Sequence, residues 1–592
     1  MQSKDFAYDV ETNGLDWRTG FVCGYSVSDG NDAVYIPVRH GGNTDPNYGN
    51  IEYVDQFEKH LAKVIKDYPH KIIGHHLKFD MHFSENHGII IGDKVSDTMT
   101  RAALSDENRR SYSLAACCKE FPDIPQKKGQ QLYEHIGRET GCKPNYTAMG
   151  NYYLLRGDDL LAVEYAEFDT LSTKGLHTKQ EQTIYGENLD VVEDMENHLT
   201  YVLQKMERKG VRVDLEQFRI IQKQLEELQL DAYAKIPLKD NMDPINVRSG
   251  KDLKEYFEMC EIDDWPMTPP SNKYPDGQPS FNRQFLATHE QGFAILNARK
   301  YDHLINSFIN PFMSFVFNGR IHTTFNQSRN EFDFGARPGR LSCNNPNLQQ
   351  VPKRDEELGK IYRSIFVADD EYIYVEYDHS QAEPRLYAHY SGEPVLLEGY
   401  NKTPFVDMHT IAAELMNIER KFAKNMNLGI LYTMGAPKLA AQLGISIDQA
   451  RQIVYKWYKT FKKVRDFTKA AQNVAESREY VFTILGRRAR FPDPRWAYRA
   501  ANRIIQGSSA DILKWKLVEL DRWIIKNGYQ DAVQILLNIH DAILVQVHKN
   551  AQELIPIIGK IFADVQKPPF NLRVPFHSDY KMGINWSVAS YG

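Results

Sequence analysis

Asp9 and Glu11 stand in the string DVETNGL as Asp-x-Glu, and in an extended strand that spacing puts both carboxylates on one side of the pleat. Such a pair is a seat for a divalent cation, although alone it also fits a solvated turn cap. Further along, Lys78-Phe79-Asp80 opens a helix, and Tyr165 and Asp169 share one helical face. Together, Asp9, Glu11, Asp80 and Asp169 suit two hard cations that bind through oxygen, retain water and clamp a scissile phosphate from both sides. One ion would generate a nucleophile from water and the other would stabilise the departing oxyanion. The Tyr165 phenol, with a pKa of about 10, remains a donor at neutral pH and would orient the attacking water. The chemistry is phosphodiester hydrolysis.

A second set of acids lies far downstream. The apolar strand YIYVEYD ends in Asp378, and LLNIHDAILVQV reads as a hairpin with Asp541 at its tip. If those strands are neighbours, Asp378 and Asp541 hold two Mg²⁺ ions. One would activate a primer 3′-hydroxyl, and the other would bind a triphosphate and the leaving pyrophosphate. In ERKFAKNMNLGILY, Arg420, Lys424 and Leu428 recur every four residues along one helical face, with Tyr432 continuing it. A basic face is commonly just solvated, but here an apolar position sits among the charges and flanking strands supply metal-grade aspartates.

The elements that must position these residues follow from periodicity. Phe6–Val10, Phe21–Val27 and Ala33–Val38 predict strands, Val54–Asp67 a helix, and Lys71–Gly74 a strand, an alternating α/β pattern. From Glu196 to Phe317 the period is helical, broken by the Pro- and Gly-rich WPMTPPSNKYPDGQPS at Trp265–Ser280, which predicts a helical arm with an irregular tip. Strand signals return between His322 and Tyr390, and helices dominate from Met408 to about Lys526. The 592 residues predict several domains. With 42% hydrophobic and 25% charged residues the chain is globular, and its net charge of −6 leaves nucleic-acid binding to a local positive cleft. The six cysteines form no Cys-x-x-Cys pair, and no apolar run reaches the roughly 18 residues of a membrane span. A reducing, cytoplasmic setting without membrane contact is expected. Asp9 leaves no room for a leader, so the mature chain is expected to begin at Met1. Cys117 and Cys118 read as buried free thiols, and His75 and His76 lack the further ligands of a zinc site.

DVETNGL, HHLKFDM and YAEFD resemble the three motifs of the DnaQ-like 3′–5′ exonuclease domain joined to family A DNA polymerases. The family's metal ligands map onto Asp9, Glu11, Asp80 and Asp169, and its water-orienting tyrosine onto Tyr165. GRLSCNNPNLQQVP, DHSQAEPRL, RKFAKNMNLGILY and NIHDAI resemble the polymerase signatures in order, and TILGRRARFPD, NRIIQGSSADILK and GINW fit the same pattern. The class is that of bacterial DNA polymerase I and many phage replicases, and a phage origin with action in the bacterial cytoplasm is expected. The resemblance implies a multidomain α/β and α+β fold, an RNase H-like exonuclease followed by a right hand. Its expected parts are exonuclease 1–185, thumb 186–320, palm 321–400, fingers 401–525 and second palm segment 526–592.

The resemblance makes Asp378 and Asp541 catalytic metal ligands, Arg420 and Lys424 triphosphate contacts, and Lys424 the general acid for pyrophosphate. It makes Glu383 the gate against a ribose 2′-hydroxyl and Tyr432 the lining of the insertion site. Gln381 and Leu428 join the substrate-binding set. Arg340, Asn502, Gln506 and His540 contact the primer–template near the new pair, where donors to minor-groove acceptors check shape without reading sequence. The loop around Lys273 corresponds to a thumb tip gripping duplex backbone. Two Mg²⁺ are implied at each site, with Mn²⁺ able to substitute. Primer–template DNA and dNTPs are the implied partners of a monomer.

Several positions depart from the family pattern. His76 stands where Asn is frequent and is expected to touch the nucleotide strand. Ala542 replaces an acid, Leu428 an aromatic, and His379, Ala382 and Pro384 also differ. At Leu428 altered discrimination against nucleotides lacking a 3′-hydroxyl is expected. With nothing before Asp9 to encode a 5′-nuclease domain, flap removal is not expected. A single-subunit RNA polymerase is the rival enzyme, opposed by Glu383 and by the exonuclease motifs. An inactive nucleic-acid-binding scaffold is the other rival, opposed by complete carboxylate sets at both sites.

Overall fold

The computed structural model describes residues 4–125, 129–239, 242–329, 335–353, 356–432 and 434–592. The chain forms two compact units, one of Met1–Lys209, Thr324–Asn344 and Val375–Lys581, the other of Gly210–Thr323, Asn345–Tyr374 and Met582–Gly592.

The first unit contains a five-stranded sheet. Strands β1 (Phe6–Thr12), β2 (Val22–Ser28), β3 (Ala33–Pro37), β4 (Ile72–Gly74) and β5 (Val95–Asp97) lie in the order β3-β2-β1-β4-β5. Four of these depart from the sequence expectation only at their ends, and the helix Val54–Asp67 begins and ends as expected. β1 runs antiparallel to β2, pairing Asp9 with Ser26, and parallel to β4, pairing Phe6 with Ile72. A central strand must be apolar on both faces, and Ala7, Tyr8 and Val10 are buried accordingly. The helix Leu160–Gly186 starts at Asp159, whose carboxylate accepts from the Leu161 and Ala162 N–H groups. It lies on β2, where Ser26 Oγ donates to the Ala166 carbonyl at 2.8 Å. Tyr165 and Asp169 are thereby turned toward the sheet.

A second sheet in this unit has the order Val533–Ile539, Ala542–His548, Tyr372–His379, Ser578–Gly583. The hairpin closes with a two-residue turn, since Ile539 pairs with Ala542. His540 takes φ +57°, a left-handed conformation, and the Asn538 side-chain amide ties the turn by donating to the carbonyls of His540 and Ala542 at 3.0 and 3.1 Å. The basic helix Arg420–Leu431 buries Ala423, Met426, Asn427, Ile430 and Leu431, a helical stripe that leaves Arg420 and Lys424 outward. Its anchor is polar. Trp457 Nε1 donates to Asn427 Oδ1 at 2.7 Å, and the Asn427 amide lies 3.0 Å from His409 Nδ1.

Two stretches differ from the sequence reading. Within the run expected to be helical, Tyr480–Phe482 pairs with Arg488–Arg490 in a hairpin, which Gly486 permits by adopting φ +89°. Within the run of strand signals, Glu356–Ser364 and Ala382–Ser391 are helices. Their apolar residues recur at helical spacing, which the neighbouring strand strings obscured.

The second unit is mainly helical, with Leu215–Ala234, Gly250–Met259, Arg283–Thr288 and Glu290–Leu304 around a core that includes Ala232, Phe257, Phe281, Phe285 and Ile295. The stretch expected to be irregular lies between Met259 and Arg283 and carries no helix. Among the described residues no helix is long and apolar enough to cross a membrane.

Candidate active site

Alternation along β1 sends Asp9 and Glu11 to the face covered by the Leu160–Gly186 helix. Asp9, Glu11 and Asp169 each offer an oxygen within 4.8 Å of the others. Asp80 stands apart from that trio. Its side chain is buried and Oδ1 accepts from the Val10 N–H at 3.0 Å, pinning it behind β1. Burial first, and then the charge of Asp9, push its carboxyl well above the usual carboxylate range. Acids crowded around a buried carboxyl lack positive charge, and their all-oxygen donor set fits a hard divalent cation. Tyr165 is 7% exposed, packed among Tyr152, Ala162 and Ala166.

Asp9 and Asp169 open into a cavity of about 380 Å³ whose other walls include His75, His76, Lys78 and Phe325–Ser328. Phe325–Ser328 carries no motif signal and lies far from Asp9 in sequence. It is held in place by Glu207, which accepts from the Phe325 N–H at 2.6 Å and pairs with Lys78, and by Gln327, whose amide donates to Glu196 at 2.9 Å. Asp97 was also silent in sequence. Its carboxylate caps the helix Thr98–Ser105 and accepts from the His76 and Leu77 N–H groups at 3.1 and 2.9 Å, fixing the turn that carries His76.

At the second sheet, Asp378 is the penultimate residue of its strand and Asp541 sits at the tip of the neighbouring hairpin. The His379 N–H donates to the Asp541 carbonyl at 3.3 Å, so these two ends adjoin. Ser509 Oγ lies 3.4 Å from Asp541 Oδ1. Arg340 pairs with Glu383 and reaches Asp541 at 3.8 Å. The Tyr432 hydroxyl donates to Glu383 at 2.5 Å. Burial raises the Glu383 carboxyl above its ordinary range, with Arg340 and the Tyr432 hydrogen bond working the other way. Asp378, Asp541, Glu383, Arg340, Tyr432 and the exposed His540 therefore form one neighbourhood, assembled from four separate stretches of chain.

The basic face adjoins it. Arg420 donates to Asp407 at 2.7 Å and to Thr410 at 3.1 Å, and Gln381 accepts from Tyr400 at 2.9 Å. Lys424 is exposed one turn beyond Arg420, and Leu428 is half-buried a further turn on. Asn502 Oδ1 accepts from Tyr387 at 2.7 Å, and Gln506 shares a cavity wall with Tyr432 and Asn502. Lys273 belongs to the second unit, exposed, with its ammonium 5.3 Å from the Tyr274 ring.

The departures from the family pattern have structural readings. His379 points into the core, stacks on Phe562 at 3.8 Å and donates from Nε2 to the Phe562 carbonyl at 2.8 Å. Burial lowers its pKa to about 4, so it is neutral there. Ala542 is 3% exposed at the head of its strand. Cys117 and Cys118 are buried free thiols.

The family described as DNA polymerase family A matches residues 215–588, and one described as 3′–5′ exonuclease matches residues 1–183. The chain is 28% identical to a DNA polymerase DpoZ of Acinetobacter phage SH-Ab 15497, over 100% of this chain and 98% of that one. It is also 28% identical to a DNA polymerase I of Synechocystis, covering 98% of this chain and 60% of that longer protein. A solved structure described as the POL domain of Pol1 from M. smegmatis, in complex with DNA primer-template and dNTP, superimposes with a TM-score of 0.80 at 25% identity, over 100% of this chain and 97% of that one.

Proposed function

This chain belongs to DNA polymerase family A and carries a 3′–5′ exonuclease domain, and on that footing we propose that it extends a primer from dNTPs at Asp378 and Asp541 and trims the same strand at Asp9, Glu11, Asp80 and Asp169. The observation that carries the reading is the adjoining of the Asp378 and Asp541 strand ends, apart from the trio Asp9, Glu11 and Asp169. Divalent ions, Mg²⁺ with Mn²⁺ as substitute, would be held by these carboxylates and would polarise phosphate oxygens and lower the pKa of the attacking hydroxyl or water.

The protein's own groups do the rest. Arg420 and Lys424 draw the triphosphate against the basic helix, and Lys424, exposed, donates a proton to the departing pyrophosphate. Glu383, fixed between Arg340 and Tyr432, occupies the place of a ribose 2′-hydroxyl and turns ribonucleotides away. Gln381 and Leu428 line the nucleotide's path. Arg340, Asn502, Gln506 and His540 donate to the terminal base pair. At the other site Tyr165 orients water toward the phosphate, and His76, exposed on the cavity wall, touches the frayed strand. A mispaired end is held poorly at the first site and reaches the second as single strand, so fidelity comes from competition between them.

On this reading residues 1–185 are the exonuclease, 186–320 the thumb with Lys273 at its tip, 321–400 and 526–592 the palm, and 401–525 the fingers. The protein acts as a monomer on primer–template DNA in a bacterial cytoplasm. Primer extension with Mg²⁺, supplied with dNTPs and then rNTPs, tests the reading. Templated extension with dNTPs that stops in EDTA is expected, and extension equally good with rNTPs, or none with either, overturns it.

A further inference from the structure

The first unit holds another cavity, toward the opposite end of the five-stranded sheet from Asp9 and Glu11. A space of about 550 Å³ lies between the last turns of the helix Val54–Asp67, the start of β4 and the loop that enters β5, and its walls include Ile65, Ile72 and Ile90 together with Lys63, Lys66 and Lys94. β1 and β4 run parallel with Phe6 beside Ile72, so Asp9 and Glu11 stand about 10 and 17 Å further along β1, at about 3.3 Å per residue. None of Asp9, Glu11, Asp80 and Asp169 lines this space. Its volume falls in the roughly 300–1,000 Å³ range of ligand sites.

Apolar wall and positive charge meet here for local reasons. Lys63 and Lys66, three residues apart, share one exposed helical face. In the run Ile89–Ile91 the first and last side chains are buried, and the middle one, Ile90, is 57% exposed. Lys63, Lys66 and Lys94 are exposed, and none of them makes an ion pair among the described residues. Asp93 is the one acid lining the cavity among the described residues, and it is engaged by His198, at 3.0 Å from Oδ2 to Nδ1. The wall is therefore positive on a chain whose net charge is −6, so an acidic ligand that the molecule repels overall is attracted here. A nucleic-acid strand suits the walls poorly, because it needs open ring faces for its bases. The Tyr68 ring is held against Phe6 at 4.8 Å and His70 at 5.7 Å, its hydroxyl donates to the Lys4 carbonyl, and the remaining apolar walls are aliphatic. Aliphatic walls desolvate an apolar side chain, and exposed ammonium groups pair with carboxylates beside it. Together they select a peptide in which an apolar residue is flanked by acids.

We propose that this cavity docks an acidic segment of a partner protein, with a leucine or phenylalanine side chain of that segment against Ile65, Ile72 and Ile90 and its flanking carboxylates on Lys63, Lys66 and Lys94. The proposal stands apart from the polymerase reading, because neither DNA nor nucleotide enters it. Its test uses the full chain and a fluorescein-labelled peptide of glutamates interrupted by one Leu-Phe pair, with anisotropy read in EDTA at low salt. The wild type binds this peptide with a Kd below about 100 μM. Lys63→Glu, Lys66→Glu and Lys94→Glu together weaken binding at least about tenfold, since three exposed pairs turn from attraction to repulsion. Ile90→Ser, a change at an exposed position, weakens it at least about threefold through lost apolar contact. An all-glutamate peptide binds the wild type at least about tenfold more weakly than the probe. Urea midpoints of both variants match the wild type, which reports an intact fold. No binding by the wild type at about 1 mM peptide, affinity unchanged in the variants, or equal affinity for the all-glutamate peptide overturns the proposal. So does loss, in the same variants, of binding to a single-stranded oligonucleotide, which would mark a nucleic-acid site, or of self-association, which would mark a second copy of this chain as the occupant.

Discussion

The His379 N–H donates to the Asp541 carbonyl at 3.3 Å, joining the end of one strand to the tip of a hairpin that begins more than a hundred residues later. Asp378 precedes His379, so this backbone bond sets the separation of the two acids without using either carboxylate. Replacing Asp378 or Asp541 by Ala leaves the bond intact and removes only the charge. Extension should fall by more than about 10³-fold, since loss of even one preorganised electrostatic group costs about 10²–10³. Degradation of single strands should persist. Asp9→Ala with Glu11→Ala should do the reverse. Parallel extension and degradation assays read this out, and joint loss of both activities in either variant would contradict two separable sites.

A buried charge network ties the wall of the cavity at Asp9 and Asp169 to the long helix Ala500–Lys526. Glu196 accepts from Lys514 at 2.7 Å and from Arg487 at 2.5 Å, Arg487 also pairs with Asp511 at 2.8 Å, and Lys514 donates to the Gln327 carbonyl at 3.1 Å. Burial opposes ionisation of Glu196, but Lys514 and then Arg487 outweigh it and hold its carboxyl below the usual range. The acids Glu196 and Asp511 balance the cations Arg487 and Lys514. Lys514→Met leaves one buried negative charge uncompensated and should destabilise this unit by about 3–5 kcal/mol. Adding Glu196→Gln should restore balance and recover part of the loss. Urea midpoints of the wild type, both single variants and the double variant measure the coupling, and strict additivity would contradict it.

His409 gives the basic helix a dependence on pH. Its Nδ1 faces the Asn427 side-chain amide at 3.0 Å. Burial lowers its pKa to about 4, with Asp407 opposing that shift and Arg420 and Lys424 adding to it. In the unfolded chain the value is about 6.5, so between these limits the unfolded state binds the extra proton. The contribution of neutral His409 is complete above about pH 6.5 and is lost as pH falls toward 4, amounting to about 3 kcal/mol at 1.36 kcal/mol per unit. His409→Gln, which keeps an acceptor for Asn427 and cannot titrate, should flatten this slope. Unfolding measured from pH 7 to 4.5 decides it, and parallel curves for the two proteins would refute it.

Local spacing made part of this architecture legible. Asp9 and Glu11 on one strand, Tyr165 and Asp169 on one helix, and Arg420 with Lys424 on another are relationships within single elements, and period alone reveals them. What spacing could not reveal was which partner an element meets. Asp80 was placed at a helix start, but its bond to the Val10 N–H depends on how that helix lies behind β1. Gln327 carries no motif, and Lys514 closes the string NRIIQGSSADILK without any sign there of its partner, because the importance of both comes from reaching Glu196 across large separations in sequence. His379 looked like an altered site residue because it adjoins Asp378, while alternation along the strand turns it to the opposite face, onto Phe562.

Leu428 is half-buried on the face that carries Arg420 and Lys424, one turn beyond Lys424 and one turn before Tyr432. A nucleotide drawn in by those two cations would bring its sugar against this side chain. Leucine offers that sugar only apolar contact, so nothing at this position replaces a hydrogen bond when a 3′-hydroxyl is missing. Leu428→Tyr places a phenol hydroxyl there, able to supply the missing partner. It should lower the preference for deoxy over dideoxy nucleotides by about tenfold, the ratio that one hydrogen bond of about 1.5 kcal/mol confers. Leu428→Phe adds the ring without the hydroxyl and should leave the preference nearly unchanged, which separates hydrogen bonding from packing. Single-nucleotide kcat/KM values for dNTP and ddNTP on one primer–template measure both ratios. Equal ratios in wild type and Leu428→Tyr would show that the sugar does not meet this side chain.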